Sequence, residues 1–173
     1  LHRAEVNGDL TSDSYDGIRK SDIVSVEITG TDVTSIGQGV FYGCSSLVSI
    51  TIPDSVTSIG FTAFYRCSSL VSITIPDSVT SIGRRAFREC SNLASVTIPD
   101  SVTSIGSGAF QSCSSLASTS ENPLIIPDSV TSIGQNAFYE CSSLASVTIG
   151  NSVTGIGDYA FYYCTNLASV TIG

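Results

Sequence analysis

The side chains of this chain most able to do chemistry are its six cysteines, and their positions decide what chemistry is open to them. Cys44, Cys67, Cys90, Cys113, Cys141 and Cys164 fall 23 residues apart, except that five further residues separate Cys113 from Cys141. A disulfide framework in a small secreted domain has irregular spacings set by loop geometry, so this regularity argues against one. Each thiol instead closes a Phe-x-x-Cys segment, in which residues three apart share one face of a helical turn. That reading makes the cysteines buried free thiols, packed as small hydrophobes. Bridges between neighbouring coils stay open as the alternative, because parallel strands lie only ~4.8 Å apart. Zinc is disfavoured, since there is no Cys-x-x-Cys pair and no histidine beside the thiols.

Other reactive groups are as periodic or as isolated. The single histidine, His2, lies in the N-terminal tail, and any Ser/His/Asp or Cys/His arrangement would have to recruit it. Asp54, Asp77, Asp100 and Asp128 align in a column continued by Asn151. Such oxygens could serve calcium, but no further acid falls at a fixed offset, and turn formation explains them better. The repeated glycine is not followed by Lys-Ser/Thr, so it is no phosphate loop. Paired carboxylates could do glycoside chemistry, yet these acids recur with the period rather than standing singly. No enzyme activity, cofactor or metal is expected.

Behind these columns lies a repeated element. Units of Val-Thr-Ser-Ile-Gly-x-x-Ala-Phe-x-x-Cys-Ser-Ser-Leu-x-Ser-Val-Thr-Ile-Pro-Asp-Ser start at Val33, Val56, Val79, Val102, Val130 and Val153. Self-similarity at a short fixed period marks a solenoid, whose units stack rather than fold alone. In the copy starting at Val56, Leu70-x-x-Ile73-x-Ile75 ends in an alternating strand with Ile73 and Ile75 inward. Pro76-Asp77-Ser78 turns the chain, and Val79-x-x-Ile82-Gly83 forms a second short extended segment whose glycine suits a tight corner. Ala86 to Cys90 reads as a helical or 3-10 turn. The inward set per unit is Val56, Ile59, Ala63, Phe64, Cys67, Leu70, Ile73 and Ile75. It buries too little apolar surface to offset the ordering of one unit, so stacking is obligatory.

The 173 residues suit one domain with two parts: an N-terminal cap with a degenerate first repeat over 1–32, then a solenoid of about six units over 33–173. Residues near 119–123 are a five-residue insertion, after which Leu124 or Ile126 should resume the core. A formal charge of −8 argues against nucleic acid and anionic membranes. No apolar run approaches a membrane span. The start at Leu1 without a leader suggests a processed or trimmed chain, and the unit at Val153 leaves apolar surface uncovered unless more repeats or a partner follow.

The recurrence of Phe-x-x-Cys-x-x-Leu together with Ile-Pro-x-x-Val-x-x-Ile-Gly over 33–173 resembles the BspA-like, Treponema pallidum-type leucine-rich repeats. That resemblance implies an α/β leucine-rich-repeat solenoid, right-handed, with a parallel concave β-sheet of short strands and short helical or 3-10 turns on the other side. It also implies an extracellular or cell-surface protein that adheres to host matrix or cell-surface proteins, and no catalytic residues. Pro-Asp-Ser stands where commoner leucine-rich repeats carry an asparagine, which separates this chain from receptor-type repeats.

Within an invariant frame, the variable positions point to binding. They concentrate around Ala-Phe-x-x-Cys, where one column runs Tyr42, Tyr65, Arg88, Gln111, Tyr139, Tyr162 and the next Gly43, Arg66, Glu89, Ser112, Glu140, Tyr163. With Arg84, Arg85 and Tyr159 they suggest a protein-binding strip of Tyr42, Tyr65, Arg66, Arg84, Arg85, Arg88, Tyr139, Tyr159, Tyr162 and Tyr163, residue types favoured at interface hot spots. Solvated turn positions would look the same. Tyr159, Tyr162 and Tyr163 also mark the C-terminal end for contact with another copy. The Ser49 and Thr51 columns could serve ice binding, although β-propensity alone accounts for them. The sequence therefore predicts a non-catalytic scaffold for protein or glycan partners, with a structural or self-assembling surface module as the alternative.

Overall fold

The computed structural model describes residues 19–173; residues 1–18 of the expected cap, His2 and Arg3 among them, lie outside the described residues. Strands alternate along the chain between two columns. One holds β1 (Ser25–Glu27), β3 (Ser49–Thr51), β5 (Ser72–Thr74), β7 (Ser95–Thr97), β9 (Leu124–Ile126), β11 (Ser146–Ile149) and β13 (Ser169–Ile172). The other holds β2 (Ser35–Ile36), β4 (Ser58–Ile59), β6 (Ser81–Ile82), β8 (Ser104–Ile105), β10 (Ser132–Ile133) and β12 (Gly155–Ile156). All pairing is parallel and repeats in register, Ser35 on Ser58 and Ser58 on Ser81. The chain is a parallel solenoid of about six coils, and the inward set from Val56 to Ile75 is buried throughout.

Two expectations need correction. The sheet foreseen for the Leu-x-x-Ile-x-Ile strands is divided into β1–β3, β5–β7 and β9–β11–β13, whereas the two-residue strands, five of them Ser-Ile and the last Gly-Ile, form one unbroken sheet of six. The helical turn at Ala-Phe-x-x-Cys does not form, and the 3-10 turn Lys20–Asp22 is the only helix among the described residues. The reason lies in the amides. Phe64 N–H donates to Ala86 O of the next coil at 2.7 Å and Arg66 N–H to Arg88 O at 2.9 Å, while Tyr65 and Cys67 close turns onto Thr62 O and Phe64 O at 3.1 Å. Every second amide thus serves the neighbouring coil and is lost to a helix. Thr62 and Arg66 take φ of 52° and 62° to permit this alternation, as do their counterparts in the other coils.

Stacking is reinforced by columns of side chains. The rings of Phe41, Phe64, Phe87, Phe110, Phe138 and Phe161 lie 5.1–5.3 Å apart and within 14° of parallel. Each thiol from Cys67 to Cys164 donates at 3.1–3.2 Å to the Phe carbonyl of the preceding coil, Cys90 to Phe64 O for instance. Thr57, Thr80, Thr103, Thr131 and Thr154 donate likewise at 3.1–3.2 Å to a Thr carbonyl one coil back. The glycine after Ser-Ile at Gly60, Gly83, Gly106 and Gly134 is required by proximity rather than by φ: a Cβ on Gly134 would stand 2.4 Å from Ser107 N.

All six cysteines are free and buried. Burial pushes the Cys44 thiol up to about 12 and Cys164 up to about 11, and raises Cys90, Cys113 and Cys141 as well. At Cys67 the hydrogen bond with Cys90 acts first and burial second. These thiols are therefore protonated packing groups rather than nucleophiles.

The insertion interrupts the β7–β9 ladder but leaves the apolar interior continuous. Residues 119–123 form an exposed or half-exposed loop closed by Thr119 N–H to Asn122 O, 3.0 Å, and both Leu124 and Ile126 return to the core. Ser118 Oγ replaces missing backbone: it accepts from the amides of Ala145 and Ser146 and donates to Ser146 O at 2.7 Å.

Candidate functional site

The left-handed residue before each cysteine turns its side chain outward, and the serine or threonine after the cysteine follows beside it. Five coils then line a continuous groove of about 740 Å³: Arg66, Glu89, Ser112, Glu140 and Tyr163 on one side, Ser68, Ser91, Ser114, Ser142 and Thr165 on the other. A cleft of that size suits a small ligand or an extended segment of a larger one.

One end of the strip is an internally paired cluster. The Tyr65 hydroxyl donates to Glu89 Oε1 at 3.0 Å and Arg66 Nε to Glu89 Oε2 at 2.8 Å. The guanidinium carbons of Arg66 and Arg88 lie 5.1 and 5.5 Å from the Tyr65 ring centre. Arg88 Nε stands 3.4 Å from Glu89 Oε1, an ion pair without a hydrogen bond. Desolvation alone would raise the Glu89 carboxyl, but hydrogen bonds from Arg66 and Tyr65 and the two positive charges hold it below the usual range. Tyr42 meets Tyr65 edge-on at 5.0 Å and extends the cluster by one coil.

The other end is aromatic. Tyr139 lies 5.8 Å from both Tyr162 and Tyr163, Tyr162 is 4.4 Å from Tyr163, and Tyr159 joins at 5.4 Å from Tyr162. Glu140 accepts from Ser112 Oγ at 2.8 Å. The Tyr139 phenol titrates above its ordinary value, through desolvation first and then through Glu140, Tyr163 and Tyr162.

The ten strip residues thus fall into separate places. Arg66 and Tyr163 line the groove, Tyr42, Tyr65 and Arg88 pack beside one end, and Tyr139, Tyr159 and Tyr162 gather at the other. Arg84 and Arg85 are elsewhere, in a smaller recess with Gln111, Gln135 and Asn136. Sequence reasoning left out Glu89, Glu140 and the hydroxyls after each cysteine. The first two stood in a variable column and were legible; the hydroxyls vary so little that only geometry reveals them. The hydroxyl array considered for ice is interrupted by the exposed Ile125, paired beside Thr148. The aspartates of the turn column are exposed beside turns closed by Val79 N–H to Pro76 O and its equivalents, 3.0–3.1 Å.

The class of molecule follows from this construction: a stack of identical coils with an invariant interior and a variable groove. The BspA type leucine rich repeat model matches in six copies over residues 18–123 and 117–173, and the chain belongs to that family. It is similar to a Treponema pallidum leucine-rich-repeat protein of known structure at 32% identity, with a TM-score of 0.79 over 96% of this chain and 72% of that one. A leucine-rich cell surface protein of Faecalibacterium prausnitzii shares 26% identity at a TM-score of 0.43, covering 97% of this chain and 64% of that one. Comparison with curated proteins finds no match. Among the described residues, no helix is long and apolar enough to cross a membrane.

Proposed function

We propose that this protein is a non-catalytic recognition scaffold, displayed at a cell surface or secreted, that adheres to a protein or glycan partner through the groove from Arg66 to Thr165. The observation carrying this reading is that one variable column of an otherwise monotonous repeat, Arg66, Glu89, Ser112, Glu140 and Tyr163, lines a single groove of about 740 Å³. Host matrix and cell-surface proteins are the partner class the family suggests. The test is capture from arrayed matrix proteins and glycans. Obstructing the groove centre with Ser114→Trp should abolish capture by a chain that still folds; undiminished capture would remove the groove from the function.

A second reading rests on the tyrosine cluster, where Tyr159, Tyr162 and Tyr163 are 60%, 49% and 55% exposed. On that reading the cluster pairs with a second copy. Light scattering would then show mass rising with concentration, and substitutions at Tyr159 and Tyr163 would prevent it. A constant monomer mass would dismiss self-assembly.

A further inference from the structure

The two ends of the strip occupy equivalent positions in different coils, and only one of them contains its own cations. Tyr65, Arg66, Arg88 and Glu89 correspond in turn to Tyr139, Glu140, Tyr162 and Tyr163. In the first set two guanidinium groups approach a tyrosine face and a carboxylate closes the arrangement. In the second set there are three tyrosines and a carboxylate, and no guanidinium. None is near in sequence either: after Arg88 the chain has Glu89, Asp100, Glu121, Asp128, Glu140 and Asp158 but no lysine or arginine, a formal charge of −6. Within the described residues Glu140 has Ser112 Oγ as its hydrogen-bond donor, on Oε2. Tyr163 and Glu140 both face the groove. A tyrosine face beside a carboxylate is what a guanidinium or ammonium group requires, and a one-signed field draws such a group in.

We infer that the groove binds an extended basic peptide segment, an arginine side chain of which occupies the Tyr139–Glu140–Tyr162–Tyr163 cluster as Arg66 and Arg88 occupy Tyr65. The peptide lies across the coils, with its backbone against the hydroxyls of Ser91, Ser114 and Ser142. This rests on the groove reading above and adds the chemistry of its ligand.

The test is fluorescence anisotropy with a labelled nine-residue peptide of alternating Arg and Ser, beside peptides carrying citrulline or Glu in place of Arg. The Arg peptide should bind one site saturably, and the other two should not. Glu140→Gln and Tyr163→Asn should each weaken binding about tenfold; Asn tolerates the left-handed φ of 58° at position 163, so the ring is removed without backbone strain. Tyr163→Phe, which keeps the ring, should bind within twofold of the parent, as should Asp128→Asn, which removes a charge from the same acidic half. Equal losses in Asp128→Asn and Glu140→Gln, equal binding of the citrulline peptide, or no binding at millimolar peptide would overturn the inference. So would a neutral oligosaccharide that displaces the peptide and binds Glu140→Gln unchanged. Should partner capture still depend on position 114 while Arg peptides fail to bind, the groove reading stands and only its ligand is wrong.

Discussion

The two columns of strands are made from similar residues and behave differently. The Ser-Val-Thr-Ile segments are longer and richer in β-branched side chains, which favour strands, yet their ladder is broken twice. The Ser-Ile segments, the last of them Gly-Ile, are two residues long and pair without interruption through six coils. What separates them is bonding along the stack. Beside each Ser-Ile pair a threonine hydroxyl and a glycine tie coil to coil, the glycines so closely that a Cβ on Gly83 would come within 2.7 Å of Gly60. On the other side the Val71 amide reaches Val48 O at 3.4 Å against 2.9 Å for Ala94 to Val71 O, and the 119–123 loop separates β7 from β9. In this solenoid the spacing of neighbouring backbones governs the sheet more than the β-propensity of its residues.

Breaking both columns at once requires acting on the interior they share. The thiols are protonated in the fold, with folded values of about 12 at Cys44 and about 11 at Cys164. Since those values are raised, their stabilisation is complete below the ordinary thiol range, near 8.5, and fades as pH climbs beyond it. Each thiol then costs ~1.4 kcal/mol per pH unit, so the folded state should be lost steeply between about pH 9 and 11. Circular dichroism against pH would show it, and a chain with several cysteines replaced by alanine should give a visibly shallower slope.

Gly134→Ala would break the Ser-Ile column alone. Its Cβ would meet Ser107 N at 2.4 Å, and overpacking of that kind costs ~1–3 kcal/mol. Gly155→Ala, with nothing within 4 Å, supplies the matched control and should leave the urea midpoint nearly unchanged. Equal effects at the two positions would mean that close approach is not what holds this ladder together.

The smallest effect sharpens the other column. Ser118→Ala removes the acceptor of two amides, Ala145 and Ser146, beside the loop. A loss of ~1 kcal/mol is expected, since the three hydrogen bonds lost are part-buried and water takes their place. Hydrogen exchange at Ala145 and Ser146 should quicken while Thr131 and Thr154 keep their protection.

Much of this was legible in the residues. The 23-residue period placed Val56, Ile59, Phe64, Cys67, Leu70 and Ile73 inside, and they are inside. The Phe-x-x-Cys spacing suggested a helical turn because, on one chain, residues three apart do share a helical face. It could not show that alternate amides of that segment are claimed by the next coil. Gly39, Gly43 and Gly108, all at positive φ, were the available sign that these positions are left-handed. At the site, variability drew notice to the tyrosines and arginines but placed Arg84 and Arg85 with Arg66, from which the fold separates them. Glu140 accepts from Ser112 one coil away and shares the groove with Tyr163 one coil on, and such neighbours are visible only once the coils are stacked.

The ring-on-ring and thiol-on-carbonyl columns have a consequence for how such a molecule can change. Every coil in the middle of the stack offers its successor the same donors, acceptors and apolar relief that it received from its predecessor. Excising or duplicating one whole 23-residue copy therefore creates no junction the molecule does not already contain. Reach, and the number of outward positions open to variation, can grow or shrink in whole steps without any redesign of the interior.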